Sequence, residues 1–139
     1  MQLSAYLSFN GDCEAAFKLY EKCLGGKITM MMTYGEAPEE VKGQIPAEVQ
    51  HQIMHTRLEV GDQVLMGSDC PPHVACEGIK GCSISIGIGD PAQAERIFNV
   101  LTEGGKVTMP LAETFWSKKF GMLVDRYGVS WMINCQPAG

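Results

Sequence analysis

Apolar and polar residues alternate with a period of two along several runs of this chain, which is typical of strands with one buried face. Every second residue between Leu3 and Phe9 is apolar, and Ser83 to Ile88 repeats the pattern. Two turns, Gly61-Asp62 and Asp125 to Gly128, each separate two β-rich runs and predict β-hairpins. The predicted strands include Leu3–Phe9, Lys27–Tyr34, Met54–Val60, Gln63–Ser68, Ser83–Ile88 and both arms of the hairpin within 120–134.

Two segments change to the helical period and carry helix start and stop signals. Asp12 is the predicted N-cap of a helix over Glu14–Leu24, and Asp90 is the predicted N-cap of a helix that begins at Pro91. A pair of glycines ends each helix. The apolar faces are Phe17, Tyr20 and Leu24 in the first helix and Ala94, Ile97, Phe98 and Leu101 in the second.

The chain repeats its own pattern. Gly11-Asp12, a helix and Gly25 to Met30 recur as Gly89-Asp90, a helix and Gly104 to Met109. Any two strand-helix-strand units share caps and terminal glycines, but here the helix length and the following strand agree as well. We therefore predict an α+β fold of tandem βαβββ modules in one domain, 1–139, with module one at about 1–70, a linker at about 71–80 and module two at about 81–139.

Composition and charge argue against nucleic-acid-binding and membrane-spanning classes of protein. The 139 residues are 45% apolar, which suffices for one domain with its own core. A net charge of −5 without a basic run argues against nucleic acid as a partner, and no apolar run reaches the roughly 18 residues of a membrane span. The N-terminus lacks the features of a signal peptide, so we expect a cytoplasmic protein whose six cysteines are mostly reduced.

The stretch from Gly35 to Gln50 has no clear period. It contains Pro38, Pro46 and several charges, which predicts a mobile loop with a helical turn. Long loops in compact domains often act as lids over a site. A lid is therefore one hypothesis for this segment.

Four segments spread over both modules carry a resemblance to known proteins: Tyr6–Gly11, Leu65–Asp69, Glu113–Trp116 and Asp125–Asn134. In them the chain resembles the PhnB-like branch of the vicinal-oxygen-chelate superfamily, which includes glyoxalase I, dioxygenases and bleomycin-resistance proteins. The resemblance implies a glyoxalase-like fold, in which the strands form a curved, barrel-like mixed sheet with the helices outside. It also implies a homodimer.

Enzymes of this superfamily hold a divalent metal ion with four inward-facing strand residues. The resemblance places those positions near Ser4 or Ala5, at Met66, at Ser83 and at Met132, and none of these is a usual ligand for a hard divalent ion. We therefore expect no cofactor and no metal ligands. A shift of one residue in strand register would change each assignment, so a divalent metal stays possible.

Cysteine chemistry offers two further alternatives. A structural zinc site would use Cys70, His73, Cys76 and Cys82, although their spacing is unlike that of zinc ribbons. Cys13 lies near a helix start, a position that can activate a thiol, but nothing else in the sequence supports a catalytic cysteine.

A cavity for a small organic molecule would be lined by strand residues that face away from the helices. Mixed polar and apolar side chains suit such a ligand. The predicted ligand-binding residues are Tyr6, Met66, Ser83, Ser85, Trp116, Trp131 and Met132.

His55 and Glu113 are the candidate catalytic residues. His55 alternates with Arg57 and Glu59, and imidazole is suited to proton transfer near neutral pH, although this side of the strand is equally consistent with a solvated face. Glu113 precedes two aromatic residues and is either a general base or a glutamate at a strand end. Asp69 is more simply a turn residue than a ligand.

Two classes of function follow from these observations. The first is a metal-free protein that binds a small organic molecule in a cavity, for which the missing metal ligands argue. The second is an enzyme, a metal-dependent lyase, isomerase or dioxygenase of the glyoxalase type, for which His55, Glu113 and the predicted lid argue. The sequence leaves open whether the protein is an enzyme.

Overall fold

The computed structural model describes residues 1–71, 78–114, 117 and 119–135. The chain divides into two compact units, Met1–Gly78 and Ile79–Gly139. The first unit contains β1 (Ala5–Phe9), α1 (Cys13–Leu24), β2 (Lys27–Thr33), the short α2 (Glu39–Lys42), β3 (Ile53–Val60) and β4 (Gln63–Asp69). The second contains β5 (Ile84–Ile88), α3 (Pro91–Thr102), β6 (Lys106–Ala112), β7 (Lys119–Val124) and β8 (Ser130–Cys135).

Both units have the same sheet topology, which confirms the predicted α+β fold of tandem βαβββ modules. The strand orders are β1-β4-β3-β2 and β5-β8-β7-β6, and in each sheet the first pair is parallel while the other two are antiparallel. The expected single barrel-like sheet is corrected in one respect. The described strands form two four-stranded sheets that are not closed into a barrel, because β1, β2, β5 and β6 each pair on one side only.

Each sheet packs one face against its own long helix. In unit one, α1 lies against β3 and buries the side of the sheet that carries alternate apolar residues; in unit two, α3 lies against β7. The buried residues include Leu7, Phe9, Phe17, Tyr20, Leu58 and Leu65 in unit one, and Ala94, Ile97, Phe98, Leu101, Leu123, Trp131 and Ile133 in unit two. Among the described residues, no helix has the length and apolarity to span a membrane.

The paired glycines of the repeat have a steric role after the two helices. A Cβ atom at Gly26 would lie 2.6 Å from the carbonyl oxygen of Glu59, and a Cβ at Gly105 would collide with the carbonyl oxygen of Val124. Only glycine allows the chain to enter β2 and β6 so close to the neighbouring strand. This explains why both modules keep glycine at the same position.

The two long helices begin differently, although the sequence predicts an aspartate N-cap for both. The Asp90 side chain accepts a hydrogen bond from the Ala92 amide at 3.0 Å, which confirms that cap. Asp12 does occupy the predicted N-cap position of α1, but its side chain makes no capping hydrogen bond. The carboxylate of Asp69, at the end of β4, instead accepts from the amides of Gly11 at 2.9 Å and Cys13 at 3.0 Å.

Asp69 also forms hydrogen bonds with β3 and with the segment that follows β2. Its second carboxylate oxygen accepts from the Ile53 amide at 2.8 Å, and its backbone carbonyl accepts from the Tyr34 hydroxyl at 2.8 Å. The residue is 1% exposed, so these bonds replace the water that the carboxylate loses. One buried side chain thus joins the start of α1 to the start of β3.

The segment between β2 and β3 contains the predicted helical turn and two more. Tyr34–Glu36 and Ala47–Val49 form 3₁₀ turns on either side of α2. Backbone hydrogen bonds from Tyr34 to Gln52 at 3.0 Å and from Gly35 to Gln50 at 2.8 Å close the base of the segment. Ala37 and Ile45 of this segment are buried, so the segment packs onto the rest of unit one.

Replacing Asp69 by alanine should destabilise the protein strongly. The substitution leaves three backbone amides without their buried acceptor, and we expect a loss of about 3 kcal/mol or more in the free energy of unfolding. Urea unfolding followed by circular dichroism measures this change. Asp62→Ala is the control, because Asp62 is exposed in a turn, and its change should stay within about 0.5 kcal/mol. Equal effects of the two substitutions would contradict the assigned role of Asp69.

Candidate functional site

The face of sheet one that lies opposite α1 brings several chemically distinct side chains together. We call it the open face, and it comprises Tyr6, Ser8, Met30, Met32, His55, Arg57, Glu59 and Met66. Strand register aligns four of them in one row, because Tyr6 pairs with Met66, Met66 with Arg57 and Arg57 with Met30. Paired residues project on the same side of a sheet, so this row crosses all four strands.

Tyr6 and His55 form the most specific contact of the open face. The Tyr6 hydroxyl lies 3.3 Å from Nδ1 of His55, and the two rings stack with centroids 5.8 Å apart and an interplanar angle of 21°. The residues belong to β1 and β3, which are separated by β4, so their side chains reach across β4 on the open face. The hydrogen bond fixes the ring orientation of His55 and leaves its Nε2 atom unused by that contact.

Arg57 supplies the positive charge of the open face. It lies two residues after His55 on β3, and its Nε atom is 3.5 Å from the Glu59 carboxylate. The two side chains are 37% and 39% exposed, so the ion pair is open to solvent and stabilises the fold little. A guanidinium group in this position is available to an anion that approaches the face.

Sequence reasoning did not select Arg57 or Met30 as site residues. The sequence signal for Arg57 was its position two residues after His55, on the same side of the predicted strand. Met30 could not be found without the strand register, because a shift in pairing between Ile28 and Met30 interrupts the regular ladder. The same shift occurs between Val107 and Met109 in unit two.

Unit two has a corresponding face with different side chains in the matching row. Its row runs Ser85, Met132, Met122 and Met109, in the strand positions that correspond to Tyr6, Met66, Arg57 and Met30 of unit one. Ser85 is exposed, and so is Ser83, which lies just before β5. Two predicted ligand-binding residues, Ser85 and Met132, therefore share a row.

Trp131 lies with the core instead of with Met132. It is 1% exposed, and its Nε1 atom donates to the Asp125 carboxylate at 2.8 Å. Successive strand residues point to opposite faces, so Trp131 cannot share a wall with Met132. Trp131 and Met132, which the sequence offers as alternatives for an apolar wall, therefore lie on opposite faces, and Trp131 is packed in the core.

The second candidate catalytic residue, Glu113, is exposed just after β6 in unit two. His55 belongs to unit one. Trp116 lies outside the described residues. The groups that unit one itself brings together are Tyr6, His55, Arg57 and Met66.

The donor atoms at the superfamily's metal positions do not fit a hard divalent ion. Met66 and Met132 offer thioethers and Ser83 offers a neutral hydroxyl, whereas Mg²⁺, Mn²⁺ and Zn²⁺ favour carboxylates and imidazoles. Within the part of the chain that the structure describes, no three His, Cys, Asp or Glu side chains are grouped to hold an ion. Of the proposed zinc ligands, His73 and Cys76 lie outside the described residues, and Cys70 is disulfide-bonded and so offers no thiolate.

Cys13 is not an activated nucleophile. It is fully buried at the start of α1, and burial raises the pKa of its thiol far above the ordinary value, with the charges of Asp69 and Glu14 adding to the effect. The thiol therefore stays protonated at neutral pH. Burial, together with the carboxylate of Asp69, outweighs the effect of the helix start on the thiol pKa.

Alkylation should distinguish Cys13 from Cys82. Iodoacetamide at pH 8 should modify the exposed Cys82 in the native protein and spare the buried Cys13, because the reagent reacts with accessible thiolates. Peptide mass mapping reads the two sites separately, and unfolding in urea should make both react. Equal rates at the two cysteines in the native protein would contradict the assigned state of Cys13.

Comparison with known proteins agrees with this architecture. A sequence model of the family described as 3-demethylubiquinone-9 3-methyltransferase matches residues 1–134. The chain belongs to this PhnB-like family. Protein YjdN of Escherichia coli (strain K12) is 31% identical over 140 residues, covering 96% of this chain and 95% of YjdN.

Solved structures share the fold of this chain. Protein PA1353 of Pseudomonas aeruginosa is 49% identical, with a TM-score of 0.91 over 99% of both chains. The fosfomycin resistance protein FosX of Listeria monocytogenes is 6% identical, with a TM-score of 0.65 over 98% of this chain and 93% of FosX, and so shares the fold alone. The family therefore has the fold of the glyoxalase, bleomycin resistance and dioxygenase superfamily, as expected from the sequence. Neither the fold nor the family description establishes an activity for this chain.

Proposed function

We propose that the protein binds a small, planar, anionic organic molecule on the open face of unit one. The observation that carries this proposal is the grouping of the stacked Tyr6 and His55 rings with the half-exposed guanidinium of Arg57 and the thioether of Met66. The rings and the thioether favour an unsaturated, flat ligand, since aromatic and sulfur contacts gain from such surfaces. The guanidinium selects a carboxylate or a similar anion.

The donor chemistry favours binding over metal-dependent catalysis. A lyase, isomerase or dioxygenase of the glyoxalase type needs hard ligands, and the thioethers of Met66 and Met132 do not supply them. The alternative is an enzyme in which His55 transfers a proton. One contact supports it, because the Tyr6 hydroxyl orients the imidazole. Ligand binding is common to both alternatives and is therefore tested first.

The test compares 2-naphthoate with neutral 2-naphthamide by isothermal titration calorimetry. Naphthoate should bind at least tenfold more tightly, because a charge-assisted hydrogen bond contributes about 1.5–3 kcal/mol. Arg57→Gln should remove this preference, whereas Lys18→Gln, which deletes the same charge on the exposed side of α1, should retain it. Added salt should weaken naphthoate binding in the original protein.

Two outcomes would reject the proposal. One is the absence of naphthoate binding at millimolar concentration. The other is binding that Arg57→Gln leaves unchanged, since the anion would then be held elsewhere.

We also propose that the protein is a homodimer. Support comes from β6, an edge strand whose apolar Val107 and Met109 are 43% and 41% exposed. Exposed apolar groups beside an unpaired strand edge favour association with a second copy.

Sedimentation at micromolar concentration should show a dimer. Val107→Asp should shift the protein toward monomer, because it introduces a charge into the proposed contact. Val41→Asp is the matched control, since Val41 is 42% exposed on the short α2, and it should leave the dimer intact. A monomeric original protein would refute the proposal, as would equal effects of the two substitutions.

A further inference from the structure

Three methionines, Met30, Met32 and Met66, lie on the open face. The chain has nine methionines, three of them consecutive in β2 at Met30, Met31 and Met32. Met31 pairs with the buried Thr56 and so projects toward the helix side, whereas Met30 and Met32 project onto the open face. Two thioethers are thereby placed on one side of an edge strand.

His55 is the direct cross-strand neighbour of Met32 and the diagonal neighbour of Met30. It is the register partner of Met32, and Met30 is the partner of Arg57, two residues along β3. Directly opposed Cβ atoms in a sheet are about 4.5–5.5 Å apart and diagonal ones about 7–8 Å, distances that long side chains bridge. Methionine has three rotatable side-chain bonds, so both sulfur atoms can turn toward the imidazole.

The contact with Tyr6 leaves one ring nitrogen of His55 available to bind a metal ion. Nδ1 is the ring atom that faces the Tyr6 hydroxyl at 3.3 Å, which leaves Nε2 to bind. A histidine that ligates through Nε2 carries its proton on Nδ1 and needs an acceptor there, and the Tyr6 oxygen provides one. The same arrangement fixes the plane of the ring.

Two neutral thioethers are soft donors and a neutral imidazole is a borderline donor that also suits copper, so this set favours Cu(I) and the chemically similar Ag(I) over hard divalent ions. Arg57 opposes any cation on this face, and its ion pair with Glu59 at 3.5 Å offsets part of that repulsion. A monovalent ion experiences half the repulsion of a divalent one. We propose that Met30, Met32 and His55 form a binding site for a soft monovalent metal ion.

Unit two provides an internal control for this site. Met109 occupies the position that corresponds to Met30 and is 41% exposed, against 46% for Met30. The β7 residue two positions before Met122 is Phe120, whereas the β3 residue two positions before Arg57 is His55. An exposed thioether is therefore present in both units, but the imidazole is present only in unit one.

The experiment uses the full chain with Cys82→Ser, because the exposed Cys82 thiol would itself bind a soft ion. Cu(I) binding is measured by competition with bicinchoninic acid under anaerobic conditions. We expect one Cu(I) per chain, an affinity lowered at least tenfold by the double substitution Met30→Leu and Met32→Leu, and no change with Met109→Leu. His55→Gln should lower the affinity as well.

A second measurement locates the ion independently of affinity. Ag(I) titrated into protein with ¹³C-labelled methionine methyl groups should shift the signals of Met30 and Met32 and leave that of Met109 in place. Circular dichroism should show unaltered folding of the leucine variants, because leucine preserves most of the apolar volume.

Three results would overturn the proposal: no Cu(I) held against the competitor, an equal loss of affinity in Met109→Leu, or methyl shifts confined to other methionines. None of these depends on the proposed organic ligand, since neither Met30 nor Met32 is required to bind naphthoate. Failure of one proposal is therefore distinguishable from failure of the other.

Discussion

The buried carboxylate of Asp69 is the constraint on which unit one depends. It accepts hydrogen bonds from three backbone amides that are far apart in sequence, those of Gly11, Cys13 and Ile53. These bonds fix where α1 begins and where β3 enters the sheet. A slip of one residue in β3 would turn His55 and Arg57 away from the open face. The chemistry of the face thus depends on a side chain that is not part of it.

The two modules keep the same scaffold but differ in their chemistry. Gly26 and Gly105 allow the same close strand approach, and both sheets have the same order. On the faces opposite the helices, however, Tyr6 corresponds to Ser85 and Arg57 to Met122. A repeated fold can therefore carry a tyrosine and an arginine in one unit where the other has a serine and a methionine, which is why the function must be argued from side chains.

Local signals in the sequence were sufficient to predict the elements and their order. Strand alternation, hairpin turns and the Asp90 cap each depend on residues close together in the chain, and the structure confirms them. Predictions that depended on distant partners were less successful. Asp12 has the right residue type for a cap, but the amide of Cys13 at the helix start donates its hydrogen bond to Asp69 in β4. Strand alternation made Trp131 a candidate for a ligand wall. The alternation alone does not reveal its buried hydrogen bond to Asp125.

The same limit applies to the candidate site. His55 was identifiable from its chemistry and its strand pattern, but its partners were not. Tyr6 lies 49 residues away in sequence, and Met32 becomes its neighbour only through the register of β2 and β3. A single sequence contains no direct measure of such pairings, because the hydrophobic pattern constrains which face a residue occupies and leaves its neighbours on that face undetermined.

His55 is common to both proposed sites, so their occupancies are linked. A metal ion bound at Nε2 would add positive charge to the face that Arg57 already makes attractive to anions. An anionic ligand in contact with Arg57 would, in turn, reduce the repulsion that the guanidinium exerts on the metal. Each ligand would then raise the affinity for the other by the same factor, as thermodynamic linkage requires. If both ligands instead compete for the imidazole, the coupling changes sign, and the sign therefore reports whether His55 can serve both at once.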